Sequence, residues 1–236
     1  MARSSIRFLI VAVISLIVAC SDDECPVCVD EPEVTAILLA VYTDPWGPHA
    51  AGTSFEAAFF GDPIPLVYSV LANDDSLRIA DDALVPFYIG ECDTLVKHVE
   101  MVANVNSTEL RVGITLPDSF AIIEPEDNSI AQAGEPLTIR WSPAHGGTSY
   151  RLGIIIFDSA YEPVLDTMYI VDSLSYTIPA EYIVEGYDVA IQMFADNGPA
   201  AQAGEAGNID IEGFSGYAIG SYRVPMVRVY IYGALY

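Results

Sequence analysis

From Glu33 onward almost every segment of this chain is short, rich in β-branched and aromatic residues, and bounded by Gly, Pro, Asn or Asp. That punctuation marks strands and interrupts helices. No stretch long enough for a stable helix carries a convincing helical period. Ser54–Phe60 admits a helical turn or two, but Phe55, Phe59 and Phe60 suit a strand equally. The chain is therefore expected to be all-β.

In the first half the pattern predicts strands at Val34–Tyr42, Ser54–Phe60, Leu66–Leu71, Phe87–Gly90, Lys97–Val105 and Glu109–Leu116. Asn106-Ser107 separates the last two and reads as a hairpin turn. Pro63 and Pro65 flank Ile64, which makes that strip a loop or an edge. Count and spacing predict an immunoglobulin-like β-sandwich over residues 33–117. Pro117-Asp118 is the expected domain boundary, because proline ends a ladder.

The second half, residues 118–236, has a clearer signal. In Leu137-Thr138-Ile139-Arg140-Trp141-Ser142 the apolar residues take one face and the polar residues the other. Tyr150–Phe157 is apolar on nearly both faces. Ser175–Ile178 is short, and Gly186–Met193 follows. Trp141 on the second strand, a proline after it, the Tyr150-Arg151-Leu152-Gly153-Ile154 strand and Tyr187 ahead of a later strand resemble a fibronectin type III domain. The resemblance covers Phe120 to Asn197. It implies an inward tryptophan and a tyrosine corner at Tyr187. The closing strand is open at this point: Gly198–Gly207 is loop-like, and either Gly216–Val224 or Met226–Tyr232 fits, the rest of the tail being an extension. The tail is glycine and aromatic from Gly213 to Gly220 and strand-like from Arg228 to Tyr232. It is expected to close its own sandwich or to pair with a partner's sheet edge.

The amino terminus constrains location. Arg3 and Arg7 precede an apolar run from Phe8 to Ala19. As a helix this run spans only about 18 Å, too short for a comfortable membrane crossing. Ile17-Val18-Ala19-Cys20 and the acidic Ser21-Asp22-Asp23-Glu24 follow. The layout is that of a secretory signal over residues 1–19. An ordinary cleaved signal and an uncleaved anchor are the competing readings. Its end resembles the lipobox of bacterial lipoproteins. The resemblance implies that the Cys20 thiol receives diacylglycerol and becomes the new terminus. It also implies multiple acylation, which stable anchoring requires. Ser21 after the cysteine implies outer-membrane sorting, with the membrane as a partner through the lipid. Residues 20–32 then form a lipidated acidic tether.

The formal net charge is −24, and loss of Arg3 and Arg7 with the signal makes it more negative. That balance argues against nucleic acid and against anionic membrane surfaces, and favours basic partners or divalent cations. Cys25, Cys28 and Cys92 remain after Cys20. In an oxidising compartment three cysteines leave one disulfide and one thiol. Cys28–Cys92 is the preferred pair, Cys25 being the other candidate. The bridge would close a loop of about 65 residues and stabilise by about 4 kcal/mol in the chain-entropy model.

Nothing in the chain reads as a catalytic constellation. His49, His98 and His145 are scattered and stand in no Gly-x-Ser-x-Gly or His-Glu-x-x-His context. Gly146-Gly147 lacks the Lys of a phosphate loop. Asp74, Asp75, Asp81 and Asp82 are the calcium candidates, since hard cations want several oxygens, but their spacing is irregular. Trp46, between Pro45 and Pro48 at a strand end, is the candidate ligand contact, able to stack on a sugar or anchor a protein. The expectation is a non-enzymatic, cofactor-free binding or structural module for an envelope protein or a polysaccharide. A carboxylate-dependent glycan-processing enzyme and a calcium-dependent adhesin are the alternatives.

Overall fold

The computed structural model describes residues 34–43, 51–61, 64–80, 85–198, 207–211 and 214–233. Among them there is no α-helix, only a single 3-10 turn at Ala180–Tyr182. The strands of the first half are β1 (Val34–Thr43), β2 (Gly52–Phe60), β3 (Val67–Ala72), β4 (Asp75–Ser76), β5 (Arg78–Ile79), β6 (Phe87–Cys92), β7 (His98–Val105) and β8 (Thr108–Thr115). Next come β9 (Ile122–Glu124), β10 (Ser129–Gln132), β11 (Leu137–Trp141), β12 (Ser149–Phe157), β13 (Pro163–Val171), β14 (Ser175–Ile178) and β15 (Asp188–Asn197). The tail supplies β16 (Ile209–Ile211), β17 (Phe214–Arg223) and β18 (Val227–Tyr232).

These strands make two sandwiches. In the first, the sheet β4-β3-β7-β8 faces β17-β1-β2-β6-β5. Alternation decides which side chains go inward: Ala36, Leu38 and Ala40 of β1 join Phe59, Met101, Val105 and Leu110 in one core. Asn106 and Ser107 have φ of 50° and 66°, the left-handed pair that a tight hairpin between β7 and β8 requires. In the second sandwich, β14-β11-β9 faces a sheet in which β12 and β15 are central. Trp141 is 2% exposed and packs edge-on against Tyr150, with ring centroids 5.8 Å apart. The Tyr150 hydroxyl accepts a bond from the Ala144 amide at 2.8 Å. Tyr187 packs partly buried against the same core, just ahead of β15.

The tail differs from the expectation of a second domain that closes on itself over residues 118–236. β17 pairs parallel with β1 along its whole length, Val34 opposite Phe214 and Thr43 opposite Arg223. Ile209, Phe214 and Ala218 lie in the first core. Only the end of β17 pairs with β15, from Phe194 opposite Arg223 to Asn197 opposite Gly220. After Val224-Pro225-Met226 the chain resumes as β18, which pairs with the other half of β15. The second sandwich is thus inserted between β8 and β16 of the first, and β17 belongs to both. Glycine explains why this tail can do it. At Gly216, φ is +136° and a Cβ would overlap the Ala36 carbonyl; at Gly220 it would overlap the Thr115 carbonyl. The two glycines let β17 lie against β1 and β8 at backbone distance.

β13 is a strand that the sequence pattern did not single out. Val164, Asp166, Met168 and Ile170 take one face and Leu165, Thr167, Tyr169 and Val171 the other, so apolar residues occupy both and no alternation shows.

Candidate functional site

Several sequence-derived candidates lie outside the described residues: Cys20, Cys25, Cys28, Trp46, His49, Asp81 and Asp82. Cys92 ends β6 opposite Thr53, half-buried, its Sγ 3.2 Å from Thr94 Oγ1. It has no sulfur partner among the described residues. Asp74 shares the β3–β4 turn with Asn73, at φ of 69° and 49°, so turn geometry accounts for this pair. Asp74 and Asp75 are exposed, and no cluster of three metal-ligating side chains occurs among the described residues. His98 is exposed at the start of β7, with Nδ1 3.1 Å from Thr115 Oγ1.

The structure instead gathers polar groups where β17 passes from one sandwich to the other. Inner-face alternation sends Ile37, Leu39 and Val41 of β1 to the side of the sheet away from the first core. There, with Ala58, Phe87, Phe194 and Ile219, they form a third buried cluster. Beside it Arg151 of β12 grips Asp196 of β15 in a two-pronged ion pair, Nε to Oδ2 at 2.5 Å and Nη2 to Oδ1 at 2.9 Å. Ser221 of β17 sits opposite Asp196 in the ladder. Its hydroxyl donates to Asp196 Oδ1 at 2.5 Å and accepts from Arg151 Nη2 at 3.1 Å. The Arg151 and Arg223 guanidinium carbons lie 4.6 and 5.6 Å from the centre of the Phe194 ring. With its amide oxygen turned toward Arg223, Gln192 accepts from that guanidinium. Burial pulls the Arg223 pKa below the usual arginine range.

Glu56 of β2 lies on the same face, opposite Leu39, which is opposite Ile219. It is 5% exposed, and its Oε2 has no hydrogen-bond partner among the described residues. Burial pushes its pKa up to about 7, and the charge of Arg151 holds it from going higher.

Chemically this cluster is a lock. Ser221 is fully buried and held between a carboxylate and a guanidinium, so a substrate cannot reach its oxygen and no free base is there to activate it. A largely buried, two-pronged ion pair specifies one docking geometry, and breaking it is costly. The sequence signal was present but faint: Glu56 and Arg151 are the one charge in β2 and β12, and Asp196 follows an apolar stretch of β15, each needing a partner that local sequence does not name.

Two shallow, open grooves lie on the described surface. One of about 290 Å³ is lined by Glu185, Asp188, Tyr230 and Tyr232 among others. The other, about 480 Å³, runs between Phe120–Asp127 and Val224–Val227. Neither is lined by histidine, cysteine or serine.

Neither a protein-family model nor a curated protein sequence matches the chain. Among solved structures it is similar to the fibronectin(III)-like modules of Clostridium thermocellum CbhA, at 14% identity over 84% of this chain and 95% of that one, with a TM-score of 0.26. It is similar also to DIP-gamma IG1+IG2, at 12% identity over 85% and 98% of the two chains, TM-score 0.24. A third is a chimeric titin Z1Z2 functionalized with a KLER exogenous peptide from decorin, at 11% identity over 79% and 92%, TM-score 0.22. Likeness at this level carries no argument about function. The all-β sandwich fold rests on the strands and sheets described above.

Proposed function

We propose that this chain is a non-catalytic binding or structural module of the bacterial envelope, held at the outer membrane by lipid on Cys20. Its partner is another envelope protein or a polysaccharide. The observation that supports a presenting role most directly is the joint between the sandwiches. One ten-residue strand, β17, is shared by both ladders, and the Arg151–Asp196–Ser221 lock closes over the crossing. Two sandwiches on a simple linker move relative to each other by default. Here the polar chemistry of the interior goes into holding them as one body, which suits a spacer that carries a contact surface away from an anchor. The acidic surface directs that contact toward basic or neutral partners.

The test is cross-linking of the lipidated protein in cells, followed by mass spectrometry of what is captured. A recurrent envelope protein, or retention on isolated polysaccharide when no protein is captured, supports the reading. A chain that leaves the membrane fraction equally with Cys20 or with Cys20→Ala overturns the anchor. Turnover of an envelope glycan by the purified chain overturns the non-catalytic role.

A further inference from the structure

The third buried cluster has no second layer among the described residues. Ala218 and Tyr222 of β17 lie in the first and the second core. They are four residues apart on one strand and share a face, so both smaller sheets pack on the same side of the large one. Ile219 and Ser221 point to the other side. All seven residues of the cluster that Ile219 joins stand on β1, β2, β6, β15 and β17, strands of that one sheet. Side chains of a single sheet cover one another's flanks but not their tips, which need a layer about 10 Å away. The seven are nevertheless between 3% and 9% exposed, and Glu56 beside them is buried too.

The same face shows elsewhere what a bare sheet looks like. It continues past Arg151 onto β13, where Ile170 stands opposite Arg151 and Met168 opposite Gly153. There Val164 is 50% exposed and Met168 40%. The cluster, by contrast, is buried within the single chain, so the layer over it belongs to the chain itself. The internal stretches outside the described residues have eight residues at most. Tied at both ends, none can run the length of β1, about 33 Å.

We propose that this face is the docking site of the chain's own segment 20–33, which turns back at the start of β1 and runs over its outer side. Length, pattern and charge agree. Residues 20–33 lead directly into Val34, and fully extended they reach about 46 Å, enough to reverse and follow β1 to its end. Cys25, Val27 and Val29 alternate with Glu24, Pro26, Cys28 and Asp30, so an extended segment turns one apolar face to the sheet. Its acidic start, Asp22-Asp23-Glu24, then arrives at the far end of β1, where Arg223 stands opposite Thr43. Arg223 lies over the Phe194 ring with Gln192 beside it, and has no carboxylate partner among the described residues. The segment between Cys20 and β1 is thus a strap laid across the joint and not a loose spacer. The proposal deepens the envelope reading and takes from it only the loss of residues 1–19.

The test is hydroxyl-radical footprinting of the full chain purified from cells, read side chain by side chain by mass spectrometry. Intact mass first shows whether residues 1–19 are gone, so a failure of the envelope reading is seen separately. The expected result is that Leu39 and Ile219 oxidise as slowly as Phe59 and Trp141, which lie in the other two cores. In the variant Val27→Asp/Val29→Asp, oxidation of Leu39 and Ile219 rises severalfold while Phe59 and Trp141 stay slow. If the double variant loosens Phe59 and Trp141 as well, the milder Val27→Ser is read in the same way. Fast oxidation of Leu39 and Ile219 in the unsubstituted chain that has lost residues 1–19 overturns the proposal, because the cover then left with the signal. Slow oxidation that both variants leave unchanged also overturns it, because another segment then covers the face.

Discussion

Glu56→Gln is the substitution that tests the buried cluster most directly. The carboxyl of Glu56 is almost fully buried and its pKa stands at about 7, against an ordinary value of 4.5. A folded-state pKa above the unfolded one means that folding favours the protonated form. The stability this gives is complete below about pH 4.5 and is lost as the pH rises through about 7. Each unit is worth about 1.4 kcal/mol, so the ionised carboxylate costs about 3 kcal/mol above pH 8. Glutamine keeps the shape and removes the charge. The variant should therefore match the parent near pH 4 and exceed it by about 3 kcal/mol at pH 8, less the cost of an amide without its bonds. For a chain of this size that corresponds to roughly 6–12 °C in melting temperature. Melting both chains by circular dichroism from pH 4 to pH 8 gives the difference directly, since the other acids are common to both. A difference that does not change with pH, or a parent more stable at pH 8, would refute the buried, unpartnered placement of Glu56.

Asp196→Asn leaves the Arg151 guanidinium, 18% exposed at its side chain, without its counter-charge and should cost about 3–5 kcal/mol in urea unfolding. Gly216→Ala forces a side chain onto the Ala36 carbonyl at a φ of +136°, and should destabilise by about 1–3 kcal/mol or more. Hydrogen exchange should show the loss of protection in β1 and β17 before β11 and β12. Trp141→Ala opens the second core and should cost about 3–5 kcal/mol, again by urea midpoint.

What could be read from the sequence was what is local. Alternation in Leu137–Trp141 placed Ile139 and Trp141 inward, and they are 0% and 2% exposed. The run Tyr150–Phe157, apolar on nearly both faces, signalled a strand, and β12 spans Ser149–Phe157 with Leu152, Ile154 and Ile156 at 0%, 1% and 0% exposure. Asn106-Ser107 gave its hairpin through its own backbone preferences.

The parts that sequence did not disclose depend on pairings between distant segments. β17 meets β1 in parallel across about 180 residues of chain, and a parallel partner leaves no turn signature between the two strands. The Gly-aromatic tail reads equally well as a closing strand of the second sandwich, because it does close part of it; only the length of β17, spanning both ladders, separates an appended tail from a shared strand. The same strand also makes the lock invisible locally. Arg151 finds Asp196 45 residues away and Ser221 70 residues away, and the three come together only once β17 has been drawn in beside β15. Each looks like an isolated charge or hydroxyl in its own segment. Their meaning as a joint follows from the insertion of the second sandwich into the first, so the topology has to be known before the site can be seen.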